Sequence, residues 1–294
     1  MTATVASITR ATAGGIARAA VAIVTATAVL AGCAQAAPPP TPGGIRQPSP
    51  TPSGIRLPPL AASPDYQLGG AYPPASGVGV VGRDRSASPA EGRYSICYIN
   101  GFQTQPDAFD DWDDDLLLRD EHREPVFDPD WPDEALLDTS TPSHRDRIAA
   151  MISPWIEGCA DAGFDTVEFD NLDFYMRSHG ALTIEDNLAL AELLVSAAHE
   201  AGLAAGQKNA AEDAAALREH AGFDFALTEE CAAFRECPQY AAVYGEHVID
   251  IEYADRLPRS FAQMCADDDS PSSMVLRDRD LVTPDDDGYV FVLC

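Results

Sequence analysis

Gly163-Phe-Asp-Thr-Val-Glu-Phe-Asp-Asn-Leu-Asp-Phe-Tyr175 is the stretch on which the fold turns. Its short apolar run, Phe164, Val167 and Phe169, carries Glu168, Asp170 and Asp173 at the C-terminal edge. Carboxylates gathered where a strand ends suit glycosidic bond cleavage, in which one acid protonates the leaving oxygen and another attacks or activates water. The ends of parallel strands are also where (β/α)8 barrels hold their chemistry. The plainer alternative, a strand running into a solvated acidic turn, stays open on this stretch alone.

Outward from it, short apolar runs alternate with helical periodicity, which predicts βα units and a mainly parallel sheet. Eight candidate strands can be marked: 66–68, 78–81, 95–100, 166–168, 204–207, 225–228, 247–251 and 273–276. The first two are weakly marked and lie in Gly/Pro-rich sequence. A helix is expected over 184–201, with Thr183 as its cap, Leu190, Leu194 and Ala197 as its apolar stripe and Gly202 beyond its end. Another is expected over 143–162, packing through Ile148, Ile152, Trp155 and Ile156. The expectation is a single α/β domain over residues 60–294, a (β/α)8 TIM barrel close to the ~250 residues typical of that fold.

The N-terminus reads as an export signal. Residues 1–32 carry only Arg10 and Arg18 as charges, then an apolar run, Ala19 to Ala31, shorter than the about 20 residues of a membrane span. It ends in Leu30-Ala31-Gly32-Cys33, which resembles a bacterial lipobox with Cys33 as the lipidated residue. The expectation is an exported protein lipid-anchored to the cell membrane through Cys33; an ordinary cleaved signal near Ala34-Gln35-Ala36, giving a secreted protein, is the alternative. Residues 33–59, rich in Pro, Gly and Ser, read as an extended tether.

Six cysteines remain, an even number that suggests disulfides in an exported chain although fifteen pairings are possible. Cys231 with Cys237 is the first choice by closeness, then Cys265 with Cys294 and, by elimination, Cys97 with Cys159. No Cys-x-x-Cys occurs and the six histidines show no ligand spacing, so no metal is expected. The net charge of −28 falls to near −30 without the two leader arginines. Nucleic acid is a poor partner for such a surface, and a polycation is favoured weakly. An acidic insertion, 105–138, separates the third strand from the first long helix; it lacks the order of a calcium loop. Its Trp112 and Trp131 are available to stack on sugar rings or to anchor the insertion to the barrel.

Several ordered motifs resemble glycoside hydrolase family 114, the endo-α-1,4-polygalactosaminidase group. They are Ile96-Cys-Tyr98 with Asn100-Gly101, the acidic stretch quoted above, Gln207-Lys-Asn209, Thr228-Glu-Glu-Cys231, Asp250-Ile-Glu-Tyr253 and Leu276-Arg-Asp-Arg-Asp-Leu281. The resemblance spans residues 64–294 and implies a (β/α)8 barrel that hydrolyses an α-linked galactosamine-rich polymer without a cofactor. It places the two catalytic acids on Asp170 and Glu229, each at a predicted strand end. Asp170 is assigned as nucleophile or base and Glu229 as proton donor, the order being left open. Glu168, Asp173, Tyr98, Lys208, Asn209, Glu252, Tyr253 and Asp278 are candidate substrate contacts, or else a salt-bridged rim that holds loops together. The chain departs from the family pattern at Phe102-Gln-Thr104, Ala210 and Thr228. A non-catalytic saccharide-binding barrel is therefore the competing reading, and a purely structural lipoprotein domain a third.

Overall fold

A computed structural model of the chain describes residues 54–294. The expected leader, Cys33 and most of the tether lie outside the described residues. Eight parallel strands follow one another in chain order: β1 (Ser63–Tyr66), β2 (Val78–Asp84), β3 (Tyr94–Asn100), β4 (Thr166–Asp170), β5 (Ala204–Lys208), β6 (Phe225–Glu229), β7 (Val248–Tyr253) and β8 (Ser273–Arg277). A ninth, β9 (Phe291–Leu293), runs antiparallel to β8. β8 also lies beside β1, so the sheet is a nearly closed barrel. Closure depends on Arg277, wholly buried, which donates to the Tyr66 and Val290 carbonyls and to Asp65.

All eight predicted strands are present, with β1 about three residues earlier than expected. Its sequence mark is weak because it is not an apolar run. Asp65 and Gln67 are buried but satisfied: Gln67 and Tyr72 donate to Asp65, and Arg83 donates to Gln67. The two weakly marked strands are joined without helices, so the outer ring is incomplete among the described residues. The expected helices are α1 (Pro142–Ala162), capped by Thr141 and ended by Gly163 in the left-handed region, and α2 (Ile184–Glu200), which carries a full Thr183/Asp186 capping box. Shorter ones follow: α3 (Ala214–Ala216), running into a π turn over Leu217–Ala221, α4 (Cys231–Phe234), α5 (Cys237–Tyr244) and α6 (Phe261–Cys265).

Period-two alternation along each strand sorts the core into two regions. One side of the strands fills the barrel with Tyr66, Val80, Tyr94, Ile96, Phe225, Leu227, Ile249, Ile251 and Val275. The other packs Cys97, Ile99, Val167, Phe169 and Ala226 against the helices. Two interior glycines make room for rings: a Cβ on Gly82 would meet Tyr66 at 2.5 Å, and one on Gly206 would meet Phe225 at 2.5 Å.

Three disulfides join Cys97 to Cys159, Cys231 to Cys237 and Cys265 to Cys294, the expected set. Despite its acidity, the insertion packs apolar side chains of its own. Leu116, Leu117, Leu118, Leu136 and Leu137 are buried in it. Trp112 is also buried, edge-on to Trp155 at 5.9 Å, so it anchors, whereas Trp131 is 57% exposed. The last tether residues pack too. Ile55 and Leu57 lie against the barrel interior's lower end, and Arg56 pairs with Asp165 at the start of β4.

Candidate active site

The C-terminal strand ends surround a cleft of about 500 Å³. The residues that reach it are the last inward-facing positions of successive strands: Asp84, Tyr98 and Asn100, Asp170, Lys208, Glu229 and Tyr253. Their convergence follows from parallel register, since Asn100 pairs with Asp170 and Glu168 with Gly206 across the sheet.

At the centre Lys208, 2% exposed, places its Nζ 3.2 Å from Asp170 Oδ2 and 3.4 Å from Glu229 Oε2. Tyr98 donates to Asp170 Oδ2 at 3.2 Å. Glu229 accepts from the Tyr253 hydroxyl and, at 2.9 Å, from Asn209 Nδ2; Asn209 Oδ1 in turn accepts the Glu229 backbone N–H at 2.8 Å. These contacts separate the two acids. Burial raises the Asp170 carboxyl more than Lys208 lowers it, and Glu229's charge adds to the rise. Burial also pushes Glu229 up, but Lys208, Tyr253 and Asn209 together outweigh it and hold Glu229 below its ordinary value. Burial would strip Lys208 of its proton; the three carboxylates around it outweigh that and keep it charged.

Asn209 and Ala210 beyond β5, and Glu230 beyond β6, all take left-handed backbone, uncommon for non-glycine residues and costly for Ala and Glu. Gln207 stabilises the first pair by donating to both of their carbonyls, at 2.7 and 3.0 Å. The turns that follow Lys208 and Glu229 are thus strained.

Of the expected contacts, Tyr98, Lys208 and Tyr253 line the cleft, and Asn209 touches Glu229 from behind. The other four expected contacts do not line the cleft. Glu168 is wholly buried beneath the floor, receives the Tyr66 hydroxyl and is raised to about 7, burial being the first cause. Asp173 turns away to Arg177 at 3.1 Å. Asp278 accepts the Val282 and Val290 N–H groups and so shapes the β8–β9 loop. Glu252 is wholly buried on the outward side of β7, where its Oε1 accepts the Ala232 and Ala233 N–H groups at 2.9 Å each. Its neighbour Asp250 accepts from Thr228 and the Cys231 N–H. Both carboxyls are raised, by burial first, and Glu252's charge adds to the rise at Asp250. This pair and the Thr228 hydroxyl explain why β6 tolerates its departure at Thr228.

Several cleft residues escaped the sequence reading. Asn100 obeys the strand-end rule and could have been found by it. Arg279 lies over the Tyr253 ring at 4.4 Å and pairs with Glu230 at 3.0 Å. Glu134 arrives from the insertion and accepts from Asn100 Nδ2 at 2.8 Å. No local signal in the sequence marks these last contacts, because each depends on where a loop folds back.

Two carboxylates are thus held around one amine at the C-terminal mouth of a parallel barrel, the end at which such barrels hold their chemistry. The model of glycoside-hydrolase family GH114 matches residues 46–294, and the chain belongs to that family of glycoside hydrolases. Among solved structures it is similar to Aspergillus fumigatus Ega3 in complex with galactosamine, at 23% identity and TM-score 0.65, over 82% of this chain and 98% of that one. It is also similar to the glycoside hydrolase domain of PelA from Pseudomonas aeruginosa, at 14% identity and TM-score 0.52, over 78% of this chain and 97% of that one. No curated protein matches the chain.

Proposed function

We propose that the chain is an exported endo-glycosidase that hydrolyses an α-linked, galactosamine-rich polysaccharide, with Asp170 and Glu229 as its catalytic carboxylates. The observation that carries this reading is that one buried amine, Lys208 Nζ, reaches both carboxylates at the floor of an open cleft. The galactosamine bound in the similar Aspergillus structure supports the sugar class. So does the cleft's charge: Asp84, Glu134, Glu230 and Asp280 surround the pair, against Arg279 and Lys208. Carboxylates beyond the two needed for hydrolysis suit a polymer that carries ammonium groups. Export, with anchorage through Cys33, remains part of the proposal on the leader's sequence.

The spacing favours retention of configuration. Laid end to end, the 3.2 and 3.4 Å contacts barely reach the ~6.5 Å at which inverting pairs begin, and any bend at Nζ brings the acids nearer the ~5 Å of retaining enzymes. Asp170 then attacks the anomeric carbon while Glu229 protonates the departing oxygen; in the second step Glu229 takes a proton from the water that displaces Asp170. A second reading reverses the roles, and the electrostatics of the free site favour it, since Asp170 is raised and Glu229 lowered. An aryl glycoside with an acidic phenol separates the two, because such a leaving group needs no protonation. The variant whose activity survives on it has lost the proton donor.

Reducing-end release from a partly deacetylated α-1,4-galactosamine polymer tests the function itself. Release by the parent that falls about a thousandfold or more in Asp170→Asn and Glu229→Gln supports it. Binding without release would mark a saccharide-binding barrel instead.

A further inference from the structure

The insertion between β3 and α1 brings two unlike side chains to the cleft on a single turn. The Glu134 N–H donates to the Trp131 carbonyl at 2.9 Å, closing a tight turn through Pro132 and Asp133. Trp131 and Glu134 both line the cleft that holds Asp170 and Glu229. Trp131 is 57% exposed although the same insertion buries Trp112 and its leucines. The insertion's other exposed apolar ring, Phe127, stacks on Phe109 at 5.7 Å, whereas the Trp131 indole lies bare at the cleft rim. Glu134 is the opposite case: a carboxylate only 8% exposed, with a single side-chain donor, Asn100 Nδ2. Burial raises this carboxyl to about 7, and an ionised carboxylate has room for about four hydrogen bonds, more than Asn100 fills.

The turn is held rigidly. Asp128, on the strand-like segment before it, is buried and accepts from Gln103 and from Arg177. Gln103 in turn accepts from Asn171, the residue after Asp170. The Asp128 N–H donates to the Glu134 carbonyl at 2.9 Å. One chain of hydrogen bonds thus fixes the turn relative to the catalytic strand end, and a preformed wall costs less to bind against than a mobile loop.

We propose that Trp131 and Glu134 form a substrate subsite contributed by the insertion, in which the indole stacks on the apolar face of one hexosamine ring and the carboxylate accepts its ammonium group. The inference rests on the glycosidase reading above and adds to it a residue pair that selects amino sugars bearing a free amine. An aromatic body offers area to any sugar, whereas a shielded carboxylate rewards only a cation. The two side chains therefore have separable signatures.

The test uses the full chain, with Trp131→Ala, Trp131→Phe and Glu134→Gln beside the parent. KM and kcat are measured on partly deacetylated and on fully N-acetylated α-1,4-galactosamine polymers, and binding of a galactosamine oligosaccharide is measured by tryptophan fluorescence in an Asp170→Asn background. Trp131→Ala should raise KM about tenfold on every polymer the parent cleaves and leave kcat within about twofold, with Trp131→Phe recovering most of the loss. Glu134→Gln should raise KM by a similar factor on the deacetylated polymer alone. Cleavage by the parent with KM unmoved in the variants overturns the subsite and leaves the glycosidase standing. A parent that neither cleaves nor binds overturns both.

Discussion

Lys208 sets the protonation of the site, because its amine is the nearest cation to both acids. Removing it takes away the charge that lowers both carboxyls, so each pKa must rise. Lys208→Met should therefore cut kcat and move the acidic limb of the pH–rate profile to higher pH; a profile that keeps its shape would separate Lys208 from the acids. Glu168 offers a stability counterpart. Its carboxyl is raised from 4.5 to about 7, burial first among the causes. The folded chain then binds this proton more tightly than the unfolded one. Its stabilising share is full below the unfolded value and is lost as pH climbs towards 7. Thermal melts of Glu168→Gln and the parent should diverge in the variant's favour over that interval. That Asp170 and Glu229 end β4 and β6 was legible in the sequence, because a strand end is a local pattern. The roles of Glu168 and Asp173 were not, since an acid's direction depends on which neighbour claims it, Tyr66 for one and Arg177 for the other.

At the level of elements, β6 and the turn after it are fixed from outside the barrel. Glu252 and Asp250 accept the N–H groups of Cys231, Ala232 and Ala233, just past Glu229. Glu252→Gln keeps an acceptor for the turn and gives Asp250 a donor, so activity should stay within about threefold of the parent. Glu252→Ala leaves two buried N–H groups unmet and should cost about 2–4 kcal/mol in denaturant unfolding. Equal losses in both would return Glu252 to the substrate. Helices α1 and α2 were legible to within a residue or two because caps and stripes are local. β1 was displaced because its buried polar residues are satisfied by side chains beyond its own run, among them Tyr72, Arg83 and Arg277. β9 was missed: three residues paired to β8 have no periodicity to read.

Across the whole molecule, the disulfides reinforce a ring of helices that is incomplete among the described residues. Cys97–Cys159 ties β3 to α1 across a separation of 62 residues. Closing a loop of that length limits the unfolded chain by about 4 kcal/mol in the chain-entropy account. Replacing both cysteines with Ala should lower the melting temperature by roughly 10 °C. Cys231–Cys237, with a separation of 6, should matter less, and calorimetry on the two double variants compares them directly. The pairings could be ranked from spacing, but only the fold brings the β3 and α1 sulfurs together.

Arg56 and its neighbours meet the barrel at the starts of its strands, beside Asp165 and Tyr94. The cleft opens at the other end. Arg56 therefore sits on the underside. A support that gripped the chain at Arg56 would leave that mouth facing away from it and open to solution.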